Sequence, residues 1–290
     1  MSGPCEVLAP FEIEEAVQLL AEIGEPVTVL AGGTDLMPAI LSGERRPAAV
    51  VLDLGRMAIL REIREEGDEL VLGAAVTAAA LGADPEVARV AGPLVAAARS
   101  FGSLEIANRA TIGGNVMTAG AAGDLATALL ALDAVAVLAS TEGRRRVPVF
   151  SLLVGGGRTS AKPSELLVEI RLPRAGASGR GWFRKVSGRG GRGWAKVNLA
   201  CFARDGSEGP EEVRIALGGA ASGPTRLRET ERILTGSRLD EACLARALRG
   251  IDGEITPEDD LVSSAAYRRT IAARLVRWVL AELARPEGLR

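Results

Sequence analysis

The sequence predicts an α+β protein built as two domains, and three observations carry that prediction. Helix and strand patterns alternate over residues 12–52, as they do in a small α/β lobe. The run from Pro173 to Gly181 is made of small, flexible residues behind a proline, which marks a linker. Beyond it strands come first and helices second, the order of an antiparallel sheet with helices packed on it. With 290 residues, 47% of them apolar, the chain is long enough to give each domain its own core.

The elements follow in order. Ile13, Ala16, Val17, Leu20 and Ile23 recur at helical spacing, and Gly24 follows as a C-cap. Val27 to Ala31 and Ala49 to Leu52 are short β-branched runs and predict strands. Residues 62–64 and 69–73 flank Glu66-Gly67-Asp68, a hairpin with glycine at its turn, and a second lobe starts here. Asp84-Pro85 supplies an N-cap and a first-turn proline for a helix running to about Ser100. Asp124 opens an apolar helix over 125–132, followed by a strand over 134–139 and another over 165–172 that closes the lobe. After the linker, strands are expected at 182–186, 197–203 and 213–217, then helices at 227–234, 241–248 and 264–283. In the last of these Ile271, Leu275, Val279 and Leu283 form the stripe that packs on the sheet.

Two glycine loops stand out. Val29-Leu30-Ala31-Gly32-Gly33-Thr34-Asp35-Leu36 ends an apolar run in Gly-Gly, a hydroxyl and a carboxylate. Ala110-Thr111-Ile112-Gly113-Gly114-Asn115 is followed by small residues up to Gly123-Asp124. Glycine lets the backbone come close to a ligand, and successive amides form a nest for anionic oxygens, so two such loops predict one large phosphate-bearing cofactor. Neither matches the spaced glycines of a Rossmann site or the lysine-ended P-loop.

Composition removes other chemistries. The chain has no histidine, so imidazole catalysis and the commonest metal ligand are absent. Cys5, Cys201 and Cys243 are far apart with no C-x-x-C pair, so this chain by itself holds neither an iron–sulfur cluster nor a structural zinc. We therefore expect no catalytic and no metal-ligating residue here. A net charge of −2 with acids and bases interspersed gives no footprint for nucleic acid. The N-terminus has no leader pattern and no apolar run approaches the ~20 residues of a membrane span, so a cytoplasmic location is expected. Only Lys162, Lys185 and Lys196 are lysines, which gives weight to a lysine inside a motif.

Ala-Gly-Gly-Thr-Asp-Leu at 31–36, Asn-Arg-Ala-Thr-Ile-Gly-Gly-Asn at 108–115 and Gly-Asp-Leu at 123–125 come at the spacing of one known family. At these residues the sequence resembles the FAD-binding (medium) subunit of the molybdenum hydroxylases, such as carbon monoxide and xanthine dehydrogenases. The resemblance runs nearly end to end and includes residues 183–189 and 264–269. It implies a two-lobed FAD-binding domain of the vanillyl-alcohol oxidase (PCMH) type over 1–174, with lobes of about 1–57 and 58–174, and a linker over 175–181. A smaller α+β C-terminal domain, antiparallel sheet plus helices, would fill 182–290.

Carried over by residue, the resemblance implies that Ala31, Gly32, Gly33, Thr34 and Asp35, with Leu30 and Leu36 at their flanks, form the first FAD loop. Asp35, whose carboxylate would repel a diphosphate, is expected to cap or to bond a hydroxyl. Phe101, Gly102, Ile106, Thr111, Gly113, Gly114, Asn115 and Asp124 form the second set, around the diphosphate, ribityl chain and ring. Leu167 matches an apolar position packed near the ring, and Lys185 a lysine close to it, where a cation can steady reduced flavin. Two departures stand against the family pattern. Gly120 replaces a hydroxyl-bearing residue, and residues 189–194 are unusually glycine-rich, which we read as a loop and not as an RNA-binding tract.

The function implied is electron transfer: FAD in this chain, with molybdopterin and [2Fe–2S] clusters only in partner subunits. Those partners would be a small iron–sulfur subunit and a large molybdopterin subunit, assembled as a dimer of heterotrimers, with NAD or a quinone as acceptor. A stand-alone flavoenzyme would turn over a small substrate alone, and a scaffold that had lost FAD would bind no flavin.

Overall fold

The computed structural model describes residues 5–24, 26–174, 179–188 and 193–285. Linker residues 175–178 and residues 189–192 of the glycine-rich run lie outside the described residues. Strand β1 (Glu6–Leu8), helix α1 (Ile13–Glu22), strand β2 (Val27–Leu30), helix α2 (Leu36–Leu41) and strand β3 (Val50–Asp53) form the first lobe. Its sheet is parallel in the order β1-β3-β2. Parallel neighbours need crossovers, which is why helices separate the strands. Helix α1 buries Ile13, Ala16, Val17 and Leu20, the face its periodicity set apart. Strand β1 was not expected from the sequence, because three residues are too few to show a period.

The second lobe begins with the hairpin β4 (Ile63–Glu66) and β5 (Glu69–Gly73), turning through Gly67 at φ +60°. Then come α3 (Ala78–Ala83), α4 (Pro85–Val90), α5 (Gly92–Arg99), α6 (Leu104–Ala107), α7 (Ile112–Thr118) and α8 (Asp124–Ala131). Strands β6 (Val135–Ser140) and β7 (Gly143–Pro148), the short α9 (Val149–Leu152), the small pair β8 (Leu153–Gly155) and β9 (Arg158–Thr159), and β10 (Leu166–Pro173) complete it. The single helix expected from Asp84 to Ser100 is two. Asp84 does cap it, accepting from the amides of Glu86 and Val87 at 2.9 Å. Ala91 then leaves helical geometry two residues before Pro93, which has no amide hydrogen with which to continue α4 and whose ring would clash with the Arg89 carbonyl.

The main sheet of this lobe is antiparallel, in the order β4-β5-β10-β6-β7. Glu169 and Arg171 lie buried among a web of ion pairs on β10 and its neighbours. Arg64 reaches Glu169 at 2.6 Å, and Arg171 meets Glu169 and Glu69, each at 2.9 Å. Burial alone would raise the Glu169 carboxyl, but hydrogen bonds from Arg64 and Arg171 outweigh it and hold it below the usual range.

The C-terminal domain is an antiparallel sheet of β11 (Arg180–Ser187), β12 (Ala195–Asp205), β13 (Pro210–Gly218) and β14 (Thr225–Arg226) in sequence order. It carries α10 (Arg228–Leu234), α11 (Glu241–Glu254) and α12 (Ala265–Leu283). Strand β11 starts at Arg180, inside the expected linker, because Arg180 already pairs with Ala203 in the ladder and bonds Asp205 at 2.5 Å.

This sheet has two covered faces. Val197, Leu199, Cys201 and Ala203 of β12 join a core with Ile271, Leu275, Val279 and Leu283 of α12. The alternate residues Ala200 and Phe202 join the core of the second lobe, with Leu125 and Leu129 of α8. Period-two alternation thus gives β12 one face for its own helices and one for the first domain. Among the described residues no helix is long and apolar enough to cross a membrane.

Candidate functional site

The first glycine loop leaves β2 at Leu30 and enters α2 at Leu36. Gly33 turns it at φ +74°, a conformation that suits glycine. A Cβ on Gly32 would lie 2.0 Å from the Arg109 carbonyl oxygen, so the loop touches the backbone just before the second glycine loop. Among the described residues, the half-buried amides of Gly32, Gly33 and Thr34 have no acceptor within the chain. Such amides need a partner, and successive ones suit the oxygens of a diphosphate. Asp35 makes no side-chain cap to α2; its carboxylate accepts from the Thr118 hydroxyl at 3.2 Å, which ties the first loop to α7.

The second loop is organised differently. Thr111 caps α7, its hydroxyl oxygen accepting from the Gly114 amide at 3.0 Å. The amides of Ile112 and Gly113 donate to Val76 and Ala74 at 2.9 and 2.8 Å, and that of Asn115 to Thr111 at 3.0 Å. The first four amides of this helix are therefore all committed within the chain. Gly113 serves close packing, since a Cβ there would lie 2.6 Å from the Ala74 carbonyl oxygen. Asn115 uses its side-chain oxygen to accept from the Ala126 amide at 3.0 Å, which fixes α7 against the start of α8. Gly114 and Asn115 remain half-exposed, whereas Thr111 and Gly113 are buried.

Phe101 and Gly102 precede α6 and line a cavity of about 260 Å³ with Ser103, Leu104 and Ala107. Gly102 has φ +53°, and Ile106 beside it is 39% exposed. Leu167 is buried in the second-lobe core, on β10 behind α7. Ala74 links the two, donating to the Val168 carbonyl at 2.9 Å and accepting from Gly113.

Asp124 and Lys185 meet at the junction of the domains. The Lys185 ammonium donates to the Asp124 carboxylate and to the Ser100 carbonyl, both at 2.7 Å, and its side chain is 2% exposed. The second Asp124 oxygen accepts from the Asn198 amide at 2.6 Å. Burial pushes the Asp124 carboxyl up, with Lys185 and Asn198 acting against it. Both Asp124 oxygens, which the sequence placed among the groups around the cofactor, thus have protein partners, and the lysine charge is balanced. Sequence reasoning missed Asn198, Ser100 and Thr118. The signal for Asn198 was a lone amide in the apolar strand run Val197-Asn198-Leu199-Ala200-Cys201.

A glycine loop with uncommitted amides, a helix-borne glycine loop and a charged junction between domains are the features of a two-domain cofactor-binding protein. Residues 3–175 match the family described as the FAD binding domain in molybdopterin dehydrogenase, and residues 182–283 match the CO dehydrogenase flavoprotein C-terminal domain. Similar along almost its whole length is the nicotine 6-hydroxylase medium subunit of Paenarthrobacter nicotinovorans, 32% identical over 94% of this chain and 95% of that one. The carbon monoxide dehydrogenase medium chain of Hydrogenophaga pseudoflava is 33% identical over 95% of each chain. A solved carbon monoxide dehydrogenase from Hydrogenophaga pseudoflava superposes with a TM-score of 0.92 at 29% identity, covering 98% of both chains. The chain belongs to the FAD-binding medium subunits of the molybdopterin dehydrogenases. FAD is its cofactor, and it is an oxidoreductase subunit.

Proposed function

We propose that this chain relays electrons from [2Fe–2S] clusters on a small partner subunit to an external acceptor such as NAD or a quinone. A large molybdopterin subunit would oxidise the substrate, and the assembly would be a dimer of heterotrimers in the cytoplasm. When bound, FAD supplies the exchange between electron carriers that no side chain of this protein provides. The observation that carries the reading is the set of half-buried amides at Gly32, Gly33 and Thr34 that find no acceptor among the described residues, beside a second loop whose amides are committed.

In this reading the chain divides at 1–174 and 182–290, and the two domains meet at the flavin site. Leu30, Ala31, Gly32, Gly33, Thr34, Asp35 and Leu36 hold the diphosphate mainly through backbone amides. Thr111, Gly113, Gly114 and Asn115 form the facing wall, and Phe101, Gly102, Ile106 and Leu167 the apolar surroundings of the ring. Asp124 and Lys185, paired with each other, would lie close to the ring. The test is the absorption spectrum of the purified chain, alone and co-expressed with its partner subunits. Flavin bands alone, joined by iron–sulfur bands only with the partners, support the relay; cluster bands from the single chain refute it.

A further inference from the structure

Three residues of the C-terminal domain converge on one turn of the first domain. The Gly219 amide donates to the Ala121 carbonyl at 2.7 Å. The Asn198 side-chain amide donates to the Ala122 carbonyl at 3.1 Å and to Asp124 at 2.6 Å. Lys185 completes the set at Asp124. This turn joins α7 to α8, and the segment before α6 is held by the same lysine through Ser100. Both segments carry the residues assigned above to the flavin.

Asn198 is wholly buried, and its neighbours set the orientation of its amide. Both neighbours of its nitrogen are acceptors, so a reversed amide would set oxygen against oxygen at two places. Among the described residues its own oxygen has no partner. The Thr127 hydroxyl lies nearby but donates to the Gly123 carbonyl at 2.9 Å. Space for the amide depends on Gly218, where a Cβ would lie 2.3 Å from the Asn198 oxygen. A buried amide that accepts nothing and donates twice is placed for its donors, because an unmatched buried oxygen opposes folding.

We propose that Asn198 is a positioning residue of the flavin site, acting from the C-terminal sheet to orient the Asp124 carboxylate and the 121–124 turn. The proposal rests on the FAD reading above. Lys185 on β11 is the charged group facing Asp124. From β12 comes the neutral Asn198, from α7 comes Asn115 toward Ala126, and Arg226 on β14 meets α8 at its far end, at the Leu130 carbonyl.

The test is FAD titrated into the deflavinated full chain, followed by flavin fluorescence between about pH 6 and pH 8. Asn198→Asp places a second carboxylate against Asp124. Its FAD affinity should be at least about tenfold weaker near pH 8 and recover toward pH 6, as the introduced carboxyl takes up a proton and Asp124 keeps its charge against Lys185. Wild type and the near-isosteric Asn198→Leu should show flat profiles, with Asn198→Leu weaker throughout. Affinity of Asn198→Asp within about twofold of wild type at every pH overturns the proposal. If Asn198→Asp does not melt cooperatively, Asn198→Leu decides: about tenfold weaker binding supports the role, and wild-type affinity overturns it. A wild-type chain that never takes up FAD refutes the FAD reading instead, which keeps the two failures apart.

Discussion

The two glycine doublets look alike in the sequence and do different work in the fold. Gly32-Gly33 sits between a strand and a helix, and its amides, with that of Thr34, meet no acceptor among the described residues. Gly113-Gly114 sits inside the first turn of α7, where Ala74 and the Thr111 hydroxyl take its amides. What the doublets share is close approach: Gly32 admits the Arg109 carbonyl and Gly113 the Ala74 carbonyl. The lesson is that a Gly-Gly pair reports backbone crowding more directly than it reports an anion nest. Which loop binds through its backbone is decided by where its amides already point.

The largest effect should come from the shared feature. In Gly32→Ala the new methyl meets a backbone oxygen, which has no rotamer to yield with. Overpacking of this kind costs about 3 kcal/mol or more. That corresponds to a melting temperature lower by roughly 6 °C or more, measured by scanning calorimetry. Gly113→Ala should behave the same way. A normal melting curve for either would remove close approach as the reason for its glycine.

Acid should separate the junction from the sheet behind it. Glu69 and Glu169 are held below the usual carboxylate range: burial acts to raise them, and hydrogen bonds from Arg171, with Arg146 or Arg64, prevail. Their stabilisation is present above the unfolded value of about 4.5 and is lost as pH falls through their folded values. Asp124 has the opposite sign, since burial raises it. Its contribution to stability is full below the unfolded value and declines as pH rises through the folded one, so acid neutralises Asp124 without unfolding the chain through it. FAD affinity should therefore fall at least about tenfold at a pH where circular dichroism still reports the native fold, because the Lys185 pair is broken first. Coincident FAD release and unfolding would show that the second loop and its junction have no separate titration.

Much of the architecture was legible because periodicity is a local property. The stripe of α12 and the strands of the C-terminal sheet could be read from the spacing of Ile271, Leu275, Val279 and Leu283 and from short apolar runs. The break at Ala91 was signalled by Gly92-Pro93 but was outweighed by a continuous apolar pattern. The charged strand β7 and the three-residue β1 gave no pattern to read. At the site, the glycines and Asp124 stood out, yet the partners of Asp124 come from residues 61 and 74 positions away in sequence. No local reading finds such a pair. Only the alternation of β12 hinted that Asn198 would face the other domain.

A middle-sized contrast tests the loops against each other. Gly33→Ala puts a methyl 3.2 Å from the Leu30 and Met37 side chains, which can move, but it must hold φ at +74°. The strain is about 1 kcal/mol and falls on the very amides that have no acceptor. FAD affinity should drop about tenfold with only a small change in melting. Thr111→Val removes a helix cap worth about 1 kcal/mol, so its melting temperature should fall by roughly 2–4 °C. Its FAD affinity should stay within about threefold, since the hydroxyl serves α7. Equal losses of affinity in the two variants would break the comparison.

The smallest effect should come from the contact that joins the loops. Thr118 and Asp35 are exposed, and their hydrogen bond is 3.2 Å long. An exposed bond of this length sits at the low end of net hydrogen-bond values, about 0.5 kcal/mol, because water replaces either partner readily. Thr118→Val should therefore change melting by no more than about 2 °C. It should also leave FAD affinity within about twofold, provided that Asp35 acts only by steadying the first loop. A carboxylate next to a diphosphate works against binding, and the Thr118 hydroxyl both partially neutralises it and holds it aside. If that restraint matters, Thr118→Val weakens FAD binding more than the double variant Thr118→Val/Asp35→Asn, in which the repelling charge is gone. Recovery of affinity in the double variant, measured by the same fluorescence titration, would make Asp35 a controlled liability of the open loop. Additive losses would place it among the groups that hold the cofactor directly.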